Sequence, residues 1–189
     1  MLLSLFQSIQ SIGFLAALRE SALVYPVVMT THLSCIAVFG GMILMTDMRL
    51  LGLALKKYTV TEVVRGLENW KRLGFVIMVT MGALLAGSEA EKYYHNPYFW
   101  CKLSFLALVG VHALIFRPTV YTKTEEIDKA PALPGRAKAA AVCSLLIWTG
   151  VLTMGRLIGY YEGDKSKTPA PVAQVVKQAP APGHIRILG

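Results

Sequence analysis

Long runs of apolar residues, each near the length of a membrane-spanning helix, dominate the chain. A helix that crosses the hydrocarbon core of a bilayer needs about 20 mostly apolar residues. Four stretches fit this requirement, at about residues 21–45, 73–88, 97–116 and 137–161, provided that the second extends back through Trp70. The pattern therefore predicts an all-α fold, a bundle of four transmembrane helices that occupies residues 20–161.

The segment before the first of these runs has a different pattern. Apolar residues recur at helical spacing, and serines and glutamines fill the opposite side. This pattern predicts an amphipathic helix over residues 1–19 that lies in the membrane interface. Because its first cation is Arg19, the segment lacks the charged start of a secretory signal, and we expect it to be retained.

Composition supports a membrane protein and argues against other classes. Hydrophobic residues make up 54% of the 189 residues and charged residues only 16%, with a mean hydropathy of +0.51. A soluble domain averages about 25% charged residues, and a disordered chain has low hydrophobicity, so neither fits. The net charge is +8, but the cations lie between apolar runs rather than on one basic face, which argues against a nucleic-acid partner. The expected partner is the lipid bilayer.

The distribution of charge predicts an orientation. Lysines and arginines are more numerous between the first and second spans and between the third and fourth than on the opposite side. The positive-inside rule then places both long loops in the cytoplasm and both termini outside a bacterial inner membrane. Residues 162–189 are rich in proline and alanine, which predicts an extended tail. We expect this tail to contact other subunits of a membrane complex.

Two histidines inside the apolar runs are the main candidates for chemistry. Ionisable residues within spans are costly, so His32 in the first span and His112 in the third are functional candidates. Neutral imidazole is a good ligand for haem iron, and a helix bundle interior can hold such a cofactor. The leading hypothesis is one haem b between His32 and His112. Their predicted depths differ by several ångströms, so Met78 or Met81 is an alternative second ligand.

Two alternatives to haem stay open. A membrane histidine often only hydrogen-bonds a neighbouring helix, which would make the chain a non-catalytic accessory subunit. Soft sulfur ligands select Cu(I), and the repeat of Met42, Met45 and Met48, with Cys35 and His32 nearby, permits a copper-handling role.

The remaining candidates carry weaker signals. Asp47 near the end of the first span is expected to cap backbone groups or to pair with Arg49. His95 and His184 lack partners at metal spacing and are expected to be solvated. Because the chain has no phosphate loop, serine nucleophile motif or zinc pattern, we do not expect it to catalyse a reaction alone.

Two blocks of sequence carry a family resemblance. The first runs from Thr31-His32 to Asp47-x-Arg49-Leu50-Leu51-Gly52, and the second is Asn96-Pro97-Tyr98-Phe99-Trp100-Cys101-Lys102. Over about residues 20–160 the chain resembles a poorly characterised bacterial family of small four-helix membrane proteins. More loosely, its layout is similar to membrane cytochromes b and copper-resistance D proteins, which implies haem or copper chemistry. Cytochromes b with two haems carry four histidine ligands, so the two histidines here imply one haem at most.

These observations give a leading hypothesis for function. The chain is predicted to be a membrane electron-transfer subunit that holds one haem b and works within a larger complex.

Overall fold

The structure is a computed structural model, and it describes residues 1–161. Its regular elements in this part of the chain are all helical. They are α1 (Leu2–Gln10), α2 (Gly13–Glu20), α3 (Val24–Leu51), α4 (Val60–Ser88), α5 (Ala90–Tyr94), α6 (Pro97–Phe116), a π-helical turn (Arg117–Tyr121), α7 (Thr124–Lys129) and α8 (Gly135–Ile158). The predicted tail, residues 162–189, lies outside the described residues.

Four of these helices are long and apolar enough to span a membrane, which confirms the predicted all-α, four-span fold. They are α3, α4, α8 and the continuous segment formed by α6 and the π-helical turn. The main helix contacts are those of α4 with α3, α3 with α8, and α8 with α6. We call the end that carries α1, α2 and α5 the terminal end, and the end that carries residues 52–59 and 117–134 the loop end.

Helix α4 begins at Val60, 10 residues before Trp70, the residue to which the second span was predicted to extend. Its first turns carry charged side chains, which hid the helix from a search for apolar runs. Thr59 and Glu62 form a capping box that satisfies the first free amides of the helix. From α7, Asp128 accepts hydrogen bonds from the amides of Val60 (2.7 Å) and Thr61 (2.9 Å). The helix start is therefore held by its own residues and by a carboxylate from another element.

The best-buried core lies at the loop end. Leu50, Val60 and Val120 have no exposed surface, and small side chains on α8 let that helix approach them closely. These small residues are Ala137, Ala140 and Ala141, which are also fully buried. Apolar burial thus fixes α3, α4, α8 and the π-helical turn relative to one another at this end.

Helix α6 is held by one row of contacts. None of its residues is buried, and its half-buried positions, apart from Phe99, recur at alternating steps of four and three residues. They are Tyr98, Phe99, Lys102, Phe105, Val109, His112 and Phe116. This spacing matches the seam of a left-handed helix pair, so α6 packs on α8 along one face and leaves its other faces exposed.

The predicted amphipathic helix over residues 1–19 is divided in two in the structure. Helices α1 and α2 meet at a bend of 68° near Ser11 and Ile12. The bend lets α1 lie along α5 and lets α2 contact α3 and α4. Gly87 on α4 provides the room, because a Cβ atom there would lie 2.9 Å from Leu15. The apolar spacing located the helix, but it could not reveal this change of direction.

The two sequence blocks have local structural roles. Asn96 is 1% exposed; its Oδ1 accepts from the Tyr98 amide (3.0 Å), and its Nδ2 donates to the Ile158 carbonyl (3.2 Å). It therefore starts α6 and ties this helix to the end of α8. In the other block, Gly52 ends α3 with φ +73°, a left-handed conformation that favours glycine.

Candidate functional site

His32 is directed from α3 towards α4. Its Nδ1 lies 3.0 Å from the carbonyl oxygen of Met78. A carbonyl oxygen only accepts hydrogen bonds, so Nδ1 is the protonated nitrogen and Nε2 is left for another partner. The ring lies across Gly82, where a Cβ atom would be 2.8 Å from the imidazole. Glycine at this position therefore makes the room for the histidine.

His112 makes a similar bond on a different pair of helices. Its Nε2 lies 2.9 Å from the carbonyl oxygen of Ala140 on α8 and donates to it. The ring also contacts aromatic residues of its own segment, with centroid distances of 4.8 Å to Phe116 and 6.3 Å to Tyr121. Both candidate histidines thus fasten neighbouring helices through a backbone carbonyl.

The structure does not bring these two predicted haem ligands together. Phe39 of α3 contacts Trp148 of α8, so these two residues lie at about the same height along the bundle axis. His32 lies seven residues from Phe39 towards the terminal end, or about 10 Å at 1.5 Å per residue. Ala140, which binds His112, lies eight residues from Trp148 towards the loop end, or about 12 Å by the same rise. The imidazoles are therefore about 20 Å apart along the bundle, whereas two nitrogen ligands of one ion lie within about 4 Å.

Aromatic residues near the middle of the bundle pack closely against one another and against a glycine. The Phe39 ring is 5.4 Å from Trp148 and 6.2 Å from Phe75. A Cβ atom at Gly150 would lie 2.5 Å from the Phe105 ring, so that ring fills the space over this glycine. The middle of the bundle is occupied by aromatic side chains. A single haem held by both histidines does not fit this arrangement, and haem binding by either one alone stays a prediction.

The alternative ligand Met78 and three cations near the ends of the spans have other contacts. Met78 meets His32 through its carbonyl. Arg72 pairs with Glu68 on the same helix, and Arg156 donates to the hydroxyl of Tyr160 (2.6 Å). Lys102 differs, because its side chain lies over Gly155 of α8.

The predicted copper ligands are only partly gathered. Cys35 and Met42 line one groove of about 300 Å³ between α3 and α4, together with Trp70 and Gly74. Met45, which is 45% exposed, and Met48 are not among the residues that line this groove. Within residues 1–161 no group of three or more His, Cys, Asp or Glu side chains is placed to hold a metal ion.

The other predicted sites are resolved as follows. His95 follows α5 and packs edge-on against Tyr94, with ring centroids 5.0 Å apart. His184 lies outside the described residues. Asp47 neither caps the end of α3 nor pairs with Arg49, so that expectation is wrong. Arg49 donates instead to the Tyr58 carbonyl (2.7 Å).

Asp47 belongs to a polar cluster that the sequence did not reveal. It is 1% exposed near the loop end, and the hydroxyl of Ser144 on α8 lies against its carboxyl group. Lys71 of α4 donates to Thr46, the residue next to Asp47, and Tyr121 lies nearby. The signal was Lys71 itself, a cation two residues before the second apolar run. We define Thr46, Asp47, Lys71, Tyr121 and Ser144 as the loop-end polar cluster.

These features define an all-α membrane protein with four candidate spans and two interhelical histidine contacts. A family model described as "Family of unknown function (DUF6644)" matches residues 12–161, and the chain belongs to this family. Neither the curated proteins nor the solved structures contain a match to the chain. The family assignment agrees with the predicted likeness to a poorly characterised family. The looser likeness to cytochromes b and copper-resistance D proteins gains no support from these comparisons.

Proposed function

We propose that the protein is an accessory subunit of a membrane complex, without catalytic activity of its own. The observation that supports this proposal most directly is that both intramembrane histidines connect two helices. In each case a ring N–H donates to a backbone carbonyl of the neighbouring helix. Such bonds contribute on average about 0.6 kcal/mol in a membrane and orient helices. They require no cofactor, and they give both intramembrane histidines a structural purpose.

Helix α6 is the surface on which we expect a partner subunit to bind. It packs along one seam on α8, and Leu114 on its open side is 79% exposed. A photo-crosslinking residue at Leu114, in native membranes, should yield one discrete adduct with a second protein. The same residue at Val38, which is 64% exposed on α3, is the matched control. Adducts with lipid alone at both positions would contradict the proposal.

The proposed location is the bacterial inner membrane, with the loop end in the cytoplasm and the terminal end outside. The excess of cations in the two long loops supports it. A membrane-impermeant maleimide added to intact cells should label His95→Cys and spare Lys129→Cys. Labelling of Lys129→Cys but not of His95→Cys would instead show that the loop end lies outside the cell.

A second candidate function is electron transfer through haem b. One observation favours it: Nδ1 of His32 donates to a carbonyl, and metal-ligating histidines commonly have such a partner, with the other nitrogen facing the metal. The protein purified from native membranes would then show a Soret band that is lost in His32→Ala and kept in His112→Ala. The absence of the band in unaltered protein would reject this candidate.

A further inference from the structure

The carboxyl group of Asp47 is buried with an unsatisfied oxygen. Asp47 is 1% exposed, and its Oδ2 has no hydrogen-bond partner among the described residues. Ser144 lies against the carboxyl group from α8, and this hydroxyl provides one polar neighbour. An acceptor oxygen that is removed from water and left without a donor is costly. The charged form of this carboxyl group is therefore disfavoured where it lies.

Lys71 does not supply a close positive charge in this conformation. Its Nζ donates to Thr46, and the ion pairs within 4.0 Å among residues 1–161 do not include Asp47. An ionised carboxylate without a paired cation is strongly disfavoured in such surroundings, and the group becomes neutral instead. A proton on Oδ2 removes the charge, which is the larger part of the cost of burying this group.

The groups that face Asp47 come from each element packed around it. They are Lys71 of α4 with Glu68 behind it, Tyr121 of the π-helical turn with His112 of α6 behind it, and Ser144 of α8. Lys71 is the cation of this set that can approach the carboxyl group directly, because Thr46, its present partner, adjoins Asp47 in the chain.

We propose that Asp47 is an exchangeable proton-binding site, in which Oδ2 carries a proton in the conformation described here. On release, the O–H bond breaks and the proton passes to water at the loop end, and the bonding electrons stay on the carboxylate. Lys71 then turns from Thr46 to Asp47 and forms an ion pair. The cluster thus has two arrangements. In one, Asp47 is a neutral acid and Lys71 is bound to Thr46; in the other, the Asp47 carboxylate is paired with the Lys71 ammonium. The site does not depend on the proposed role as an accessory subunit.

The aspartates of the chain make a direct test possible. They are Asp47, Asp128 and Asp164, so aspartate labelled with ¹³C at the carboxyl carbon gives one resonance from each position. The full-length protein in phospholipid nanodiscs would be titrated by NMR. Asp128→Asn and Asp164→Asn identify two resonances by their loss and leave the third as Asp47, even if Asp47→Asn does not fold.

As the pH rises, the other two aspartates should ionise first, while the Asp47 resonance keeps the chemical shift of a protonated carboxyl group. At higher pH the Asp47 resonance should then move to the chemical shift of a carboxylate. In Lys71→Met this change should move further towards alkaline pH, because the ammonium that stabilises the carboxylate is gone. Lys92→Met, at an exposed lysine of the terminal end, is the matched control and should leave it unchanged. An Asp47 resonance that titrates together with the other two, or never changes, would overturn the proposal. An unchanged titration in Lys71→Met would overturn the exchange of partners.

Discussion

Replacing Gly150 by alanine tests the contact that holds α6 to α8. The Cβ atom of the alanine would lie 2.5, 2.7 and 2.8 Å from three carbons of the Phe105 ring. Ordinary carbon contacts are about 3.5–4.0 Å, so the ring or the helix must move by about 1 Å. Overpacking of this kind costs about 1–3 kcal/mol. Alanine regains at most about 1 kcal/mol of helix propensity over glycine. We therefore expect a net loss of about 1–2 kcal/mol in the free energy of unfolding.

The measurement is reversible unfolding in detergent micelles with added denaturing detergent, followed by tryptophan fluorescence. Gly110→Ala on α6 is the matched control, because a Cβ atom there meets nothing within 4 Å. A loss of 1.4 kcal/mol corresponds to a tenfold change in the folding equilibrium. In a double-mutant cycle, Phe105→Ala should remove most of the cost of Gly150→Ala. The reasoning is refuted if Gly150→Ala and Gly110→Ala unfold alike, or if the two changes on α6 and α8 show no coupling.

Three further predictions concern the loop end and the sulfur-rich face of α3. Burial raises the pKa of Asp128, but hydrogen bonds from Thr61 and the Val60 amide outweigh this effect and hold the pKa below its usual value. The stabilisation is therefore present above the unfolded-state pKa and is lost as the pH falls through the folded-state pKa. Asp128→Ala should lower the free energy of unfolding by about 1 kcal/mol at neutral pH, because the first amides of α4 lose their acceptor. The difference between the two proteins should vanish in acid, and a difference that stays constant with pH would contradict this role of Asp128. Gly52→Ala should cost about 1–2 kcal/mol in thermal unfolding, because φ is +73° there, and Gly135→Ala is the control. If the chain handles copper, metal analysis after growth in copper should show loss of bound copper when Met42, Met45 and Met48 are changed to leucine; equal copper in both proteins would reject that role.

Local sequence was enough to predict the four long helices and several of their ends. The third span begins at Pro97 as predicted, because Asn96 and Pro97 are strong start signals and the following residues are apolar. The start of α4 was missed because its first turns bury Val60, Val63 and Val64 on one side and expose charges on the other. A search for continuous apolar runs does not detect such an amphipathic extension, whereas the capping box of Thr59 and Glu62 marks its start.

The candidate site was only half accessible to the same reasoning. The sequence located His32 and His112 within the spans, since an ionisable residue in an apolar run is visible by itself. It did not reveal that His32 donates to a carbonyl 46 residues away and that His112 donates to one 28 residues away. The loop-end polar cluster was missed for a similar reason. Asp47, Lys71 and Ser144 are separated in the chain and meet only because three helices present them to one another.

The sequence by itself determined that this chain forms four apolar helices, where several of them begin and end, and which polar residues lie among apolar ones. Those properties depend on neighbours within a few turns, through hydrophobic content, capping and the left-handed Gly52. The tertiary structure alone decided which helices touch and how each is rotated. For this reason it decided that His32 faces α4, that His112 faces α8 at the other end of the bundle, and that Asp47 is enclosed with an unsatisfied oxygen.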